Sequence, residues 1–364
     1  MASKILMNDM PELMENIFKN LNKDIYSLYS CALVSRHWCK MSIPFLWQDP
    51  FSFNRRSPLF ISNYFSSLGE YEKTILKECL EERGINEEFS KTLFDYARFL
   101  KVLELLSLKT LKYQKNSLQE VVIQDCSFSA EYKVLNNCKN LETIRIKCCD
   151  TELMKILDYK ISTLEVFDTP IDAQTMALIL EKAGILLQRL IVESISMYKD
   201  ILEESLLLET IKSFCPNITY FKIRPTDFST QLLELIGNLH KLQFFSVRCY
   251  INNISVEELK IRVMQFSKIL PLTLQYLDLR DIWLEPYIDI LLNHCQAPLK
   301  KLLIDRLDNE KNTKALIEFC VRTRTLNYVG VYEYSDLDDL DDNIRKEVEA
   351  NVELVPIHFI DVGC

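Results

Sequence analysis

The sequence predicts an α/β protein: a small N-terminal helical block followed by a solenoid of parallel strands backed by helices. Three observations carry this expectation. A strand-like phrase, apolar at positions one, four and six, recurs between residues 118 and 331. Helical apolar spacing fills the gaps between phrases. Residues 1–48 lack the phrase and concentrate apolar residues at helical spacing.

The N-terminal block comes first. In "DMPE", Asp9 suits an N-cap, Pro11 suits the first turn and Glu12 suits the reciprocal capping position. Leu13, Ile17 and Leu21 then follow four apart on one face, with Met14 and Phe18 as a second row beside it. Asp24 suits the cap of a second helix carrying Leu28, Cys31, Val34 and Trp38. So short a block buries too little to be firmly stable alone. Some of its apolar rows must therefore dock on the rest of the chain or on a partner.

Residues 49–117 read as amphipathic helices with no Gly/Ser-rich linker, in "SPLFISNYFSSLGEYEKTILKECLEERG" and "FSKTLFDYARFLKVLELLSLKTL". A rigid helical spacer is expected, with room for irregular first repeats.

The repeats begin at Leu118. The phrase reads "LQEVVI" (Leu118), "LETIRI" (Leu141), "LEVFDT" (Leu164), "LQRLIV" (Leu187) and "ITYFKI" (Ile218). It continues as "LQFFSV" (Leu242), "LQYLDL" (Leu274), "LKKLLI" (Leu299) and "LNYVGV" (Leu326). Steps of 23, 23, 23, 31, 24, 32, 25 and 27 residues give a loose leucine-rich-repeat cadence. Between the phrases, "TELMKILDYK", "AQTMALILEKAG", "SLLLETIKSFC", "TQLLELIGNL" and "EPYIDILLNHC" are spaced as helices. One strand and one helix cannot bury their faces alone, so neighbours must stack, strands concave and helices convex. Cys138 and Cys215 each stand three residues before the next phrase, where a small thiol can close the helix on the strand. The acidic run Asp336 to Asp342 is expected to be a solvated loop. A terminal capping helix, kept polar by Glu347, Glu349 and Glu353, should follow it.

The N-terminal block resembles an F-box, whose pattern runs leucine-proline, spaced leucine and isoleucine, then valine-serine-arginine and tryptophan. Here the pattern becomes "MPELMENIFKNL" and "LVSRHW", with Met10 in place of the usual leucine. An F-box followed by leucine-rich repeats implies a substrate-receptor subunit of an SCF-type ubiquitin ligase. The resemblance implies a Skp1-type adaptor as partner and, through it, cullin and RING subunits. It carries adaptor contact onto Pro11, Leu13, Ile17, Leu21, Leu28, Val34 and Trp38. For Leu28 and Trp38, core and contact roles both stay open. A scaffold that joins no cullin complex is the alternative reading.

Composition supports a binding protein. The 364 residues are 48% hydrophobic and 26% charged, as in folded chains. The net charge of −9 argues against nucleic-acid and membrane-surface partners. No run of 18 apolar residues occurs, and "MASKILMNDMPEL" lacks a signal-peptide core, so cytoplasm or nucleus is the expected location. The twelve cysteines are then free thiols; none forms C-x-x-C, and adjacent Cys148 and Cys149 do not suit zinc. No phosphate loop, G-x-S-x-G or H-E-x-x-H occurs, and His37, His240, His294 and His358 are scattered. Neither catalysis nor a cofactor is expected.

Positions three, five and seven of each phrase face the concave side. They supply Arg145, Lys147, Arg189, Lys222, Arg224, Arg248, Arg280 and Lys301 against Glu120, Asp168, Glu193, Asp278 and Asp305. Arg224, Arg248 and Arg280 recur at one position in successive repeats, beside Tyr220, Phe244 and Tyr276. The candidate cargo site is therefore Tyr220, Lys222, Arg224, Phe244, Arg248, Tyr276 and Arg280. One reading is a receptor for an acidic or phosphorylated segment of a protein substrate. The other is a solvated surface neutralised by Asp278 and acidic loops.

Overall fold

A computed structural model describes residues 11–21, 24–48, 102–105, 118–124, 135–149, 160–169, 173–193, 201–225, 227–249, 254–280, 282, 284–305, 307, 309–331 and 342–356. Two compact units divide the chain, residues 1–145 and 146–364. The expected spacer helices before residue 102, residues 151–159 of the next expected helix, and residues 336–341 of the acidic run lie outside the described residues.

Three helices open the first unit: α1 (Pro11–Asn20), α2 (Ile25–Val34) and α3 (Arg36–Leu46). Asp24 caps α2 as expected, accepting from the backbone N–H groups of Tyr26 and Ser27, both at 3.2 Å. Ser35 ends α2 in an extended conformation and caps α3 through its Oγ, 3.2 Å from the Trp38 N–H. The serine of "VSRHW" is thus the hinge that turns one helix into the next. Met14, Phe18 and Leu28 form the buried core of the block. Ile17, Leu21, Cys31, Trp38 and Phe45 pack around it. Phe18 meets Trp38 edge-on, with ring centroids 5.9 Å apart, and Phe45 at 5.7 Å.

Strand β1 (Val102–Leu105) pairs in parallel with β2 (Glu120–Gln124), Val102 facing Glu120. Val102–Leu105 belongs to a stretch that the sequence reads as helical. "LKVLEL" from Leu100 is in fact one more copy of the phrase, masked by the helical spacing of its flanks. Strand β3 (Thr143–Lys147) spans the boundary between the units.

In the second unit, β4 (Thr163–Phe167), β5 (Arg189–Glu193), β6 (Tyr220–Ile223) and β7 (Phe244–Val247) pair in parallel in chain order. Strands β8 (Tyr276–Asp278), β9 (Lys301–Ile304), β10 (Tyr328–Val331) and β11 (Glu353–Pro356) continue the same series. Helices α4 (Ala173–Ala183), α5 (Ile201–Phe214), α6 (Thr230–Asn238), α7 (Val256–Ile269), α8 (Ile288–His294) and α9 (Glu310–Thr323) alternate with them. Strand, helix and parallel strand repeat at the cadence of the phrase, so this unit is a leucine-rich-repeat solenoid.

Alternation along the strands builds the core. Phe221, Ile223, Phe245 and Val247 are buried on the helix side, where Phe245 and Phe228 both meet Phe266 of α7. Neighbouring strands place Phe221 on Phe245, centroids 5.9 Å apart. Cys215 is fully buried at the end of α5, and its N–H donates to the Ile211 carbonyl at 2.9 Å. Cys295 repeats that position after α8.

Two local readings change. Thr163 pairs with Arg189, so the third phrase is "ISTLEV" from Ile161 rather than "LEVFDT" from Leu164. The three-residue shift moves Glu165 onto the concave side and Asp168 off it. Asp168 instead ends the strand in the left-handed region, at φ 46°, where Asp is better tolerated than most residues. At the C-terminus, the capping helix α10 (Asp342–Glu349) forms and buries Val348. Glu353, however, lies on the strand β11 rather than on the helix.

Candidate functional site

Two surfaces carry the residues singled out in the sequence. The first is the helical block. Leu28 is 1% exposed and belongs to its core, with Met14 and Phe18. Ile17, Leu21 and Trp38 are partly buried and lean on that core. Val34 is exposed. The side chains of Pro11 and Leu13 lie outside the described residues.

Among the described residues, α2 carries the large exposed apolar side chains of this block. Tyr26, Tyr29, Leu33 and Val34 are 70%, 61%, 72% and 57% exposed. Tyr26, Tyr29 and Leu33 are spaced three and four residues apart, which sets them on one helix face. Their spacing was available in "IYSLYSCALV", but the family pattern drew attention to other positions. Four large apolar groups stand exposed on ten residues, the kind of apolar surface that marks interaction sites. The cap below it is firm. A hydrogen bond from Ser27 Oγ at 2.6 Å, with backbone bonds from Ser27 and Tyr26, holds the Asp24 carboxyl below the usual carboxylate range. Trp38 Nε1 is buried with no hydrogen-bond partner among the described residues.

The second surface is the concave side of the repeats. Register brings Arg189, Tyr220, Phe244 and Tyr276 into one row across β5 to β8. The Arg189 guanidinium lies 3.5 Å over the Tyr220 ring. Tyr220 stacks on Phe244 at 3.8 Å, and Phe244 on Tyr276 at 4.0 Å. Parallel strands about 4.8 Å apart with identical register make such stacking natural. Tyr276 is 5% exposed and joins Leu303 in an apolar cluster flanked by Phe244, Tyr328 and Val355.

The cations of this side have carboxylate neighbours. Arg189 Nε donates to Glu165 Oε1 at 2.5 Å, and Glu165 is fully buried. Arg280 grips Asp278 with two bonds, Nε to Oδ1 at 2.8 Å and Nη2 to Oδ2 at 2.7 Å. Ser246 Oγ donates to the same carboxylate at 3.0 Å. Glu193 lies 3.3 Å from Lys222 Nζ and 3.8 Å from Arg248 Nη1. In the first unit, Arg145 pairs with Glu120. Arg224 sits half-buried where β6 ends. The three arginines are therefore not an equivalent ladder. Arg280 is committed to Asp278 and is 7% exposed, whereas the Arg248 side chain lies 3.8 Å from Glu193 and is 28% exposed. Glu165 escaped sequence reasoning because the phrase was placed three residues late.

Residues 11–52 match the F-box-like family model. No curated protein sequence matches the chain closely enough to be called a relative. Among solved structures, the complex of Rad7 and Elc1 from yeast is similar at 12% identity and a TM-score of 0.41. That match covers 81% of this chain and 85% of the other. An internalin from Listeria monocytogenes is similar at 11% identity and a TM-score of 0.34, covering 69% of each chain. The family match places an F-box-like domain at residues 11–52, ahead of the leucine-rich-repeat solenoid built by the parallel strands.

Proposed function

We propose that the chain is the substrate-recognition subunit of an SCF-type E3 ubiquitin ligase. Its F-box-like block docks on a Skp1-type adaptor, which connects it to cullin and RING subunits. The concave side of the repeats takes the protein to be modified. The chain performs no bond chemistry in this reading. It raises the local concentration of cargo at a partner's active centre, in the cytoplasm or nucleus.

One observation carries the proposal: an F-box-like domain presents Tyr26, Tyr29, Leu33 and Val34 outward on α2. Aromatic and aliphatic anchors of this kind dominate protein interfaces. The test is co-purification with a Skp1-type adaptor. Wild-type chain should form a stable complex. Tyr29→Glu with Leu33→Glu should weaken it at least about a hundredfold, since each buries a charge in an apolar interface. Because both side chains are exposed, the thermal midpoint of the free chain should stay put. Failure of the wild-type chain to bind any such adaptor would favour a scaffold outside cullin complexes.

A further inference from the structure

The strands of the second unit are parallel and paired in chain order, so each helix-to-strand connection returns to one edge of the sheet. Cations collect on that edge. Lys182 and Lys268 stand in the last turns of α4 and α7, and Lys241, Lys300 and Arg324 follow the ends of α6, α8 and α9. All five are exposed, and among the described residues none has a carboxylate partner. Glu181, Glu209 and Glu234 also approach this edge, the last two taken up by Lys212. The opposite edge starts α7 with Glu257 and Glu258, α8 with Asp289 and α9 with Glu310. Helix dipoles account for the charges in terminal turns. They account neither for Lys241 and Lys300, which lie beyond the helices, nor for the apolar groups beside them. Ile185, Leu186, Phe214 and Leu272 are 66%, 48%, 40% and 70% exposed on the same edge. The connections are knit together. Asn217 Nδ2 donates to the Ile185 carbonyl at 2.8 Å, Lys241 Nζ to Asn217 Oδ1 at 2.7 Å, and Thr273 Oγ1 to the His240 carbonyl at 2.9 Å.

We propose that this edge is a docking strip for an anionic phospholipid surface. The lysine heads meet the headgroups, while Ile185, Leu186, Phe214 and Leu272 enter the boundary with the acyl chains. The strip goes beyond the ligase reading and uses neither the F-box-like block nor the concave row. The whole-chain net charge of −9 points away from a membrane surface, but the fold separates charges that composition averages. Charge complementarity selects an anionic partner, and the residue types select lipid over polypeptide. Lysine is depleted and arginine enriched in protein–protein interfaces. A fluid headgroup layer is matched by point charges rather than by fixed guanidinium forks. Each basic side chain close to an anionic leaflet strengthens partitioning about fivefold. Apolar side chains set among such cations are the pattern of interfacial anchors.

The full-length protein is sedimented with vesicles of phosphatidylcholine, alone or with added phosphatidylserine. It should pellet with the mixed vesicles and stay in solution with phosphatidylcholine alone, and salt should release it. Lys182→Gln with Lys268→Gln and Lys300→Gln should weaken partitioning about a hundredfold. Ile185→Ser with Leu272→Ser should weaken it at least about tenfold. These five side chains are exposed, so the urea midpoint should hold in both variants. Leu272→Trp should show a blue-shifted emission, relative to the wild-type chain, when the mixed vesicles are added. Equal pelleting with both vesicles, no pelleting with either, or an unshifted Leu272→Trp emission overturns the proposal. Poly-glutamate binding as tight as that of the mixed vesicles, and unchanged by Ile185→Ser with Leu272→Ser, would overturn it in favour of an acidic polypeptide. Neither adaptor nor cargo takes part in this assay, so its outcome is independent of the co-purification test.

Discussion

Arg280 lies two residues beyond Asp278 and closes on its carboxylate with both forks of the guanidinium, at 2.8 Å and 2.7 Å. The pair is nearly sealed, with Asp278 1% and Arg280 7% exposed. Its first consequence is for stability rather than binding. Arg280→Met should destabilise the chain by about 3 kcal/mol, because a buried carboxylate is left without its cation. Asp278→Leu added to that variant should restore part of the loss, although Ser246 Oγ then loses its acceptor. Urea denaturation of the two variants checks this. A double variant weaker than the single one would show that the pair stabilises beyond removing its own desolvation.

The aromatic row makes a second prediction. Phe244 is sandwiched between Tyr220 and Tyr276 at 3.8 Å and 4.0 Å. Phe244→Ala should cost about 3 kcal/mol, and Phe244→Leu markedly less. Because the residues share one stack, Phe244→Ala and Tyr276→Ala should be less than additive in a double-mutant cycle. Strict additivity would mean that the rings act as separate apolar groups.

Two glycines should respond with opposite sign. A Cβ at Gly184 would meet the Phe214 carbonyl oxygen at 2.6 Å and Cys215 Sγ at 2.8 Å. Gly184→Ala should therefore cost about 2 kcal/mol, since backbone cannot yield cheaply. At Gly237 in α6, the nearest atom is Ile269 Cβ at 3.6 Å. Gly237→Ala should stabilise by up to about 1 kcal/mol through helix propensity. Thermal midpoints of the two variants, moving apart, are the expected result.

The buried thiols predict a reactivity pattern and a pH effect. Burial pushes Cys215 up to about 12, and Cys295 and Cys320 up to about 11, from an ordinary 9.0. Burial, with Asp227 and Glu204 nearby, raises Cys249 as well. At pH 8 an alkylating reagent should modify exposed Cys148 first and these four only on unfolding. These pKa values are raised on folding, so the native chain binds more protons than the unfolded one above pH 9. Their stabilising contribution is full below that pH and is lost as pH rises through about 11 to 12. The denaturation midpoint should therefore fall between pH 8.5 and 10.5. Early alkylation of Cys215 at pH 8 would contradict the assigned packing.

The sequence by itself determined the repeat. Apolar residues at positions one, four and six must face one core, and their recurrence dictates parallel strands joined by helices. It also determined the cap at Asp24, which depends only on neighbours a few residues away. Tertiary structure decided what depends on register and on depth. A shift of three residues in one phrase put Glu165, not Asp168, beside Arg189. Spacing alone left Leu28 open between core and contact, while packing assigned it to the core and left Tyr26, Tyr29 and Leu33 outside. Most of all, the sequence counts charges but not their partners. Arg248 and Arg280 are equivalent by position, and only the fold locks one onto Asp278 and leaves the other sharing Glu193. Coulomb attraction and desolvation change over a few ångströms, a scale that one-dimensional spacing does not resolve.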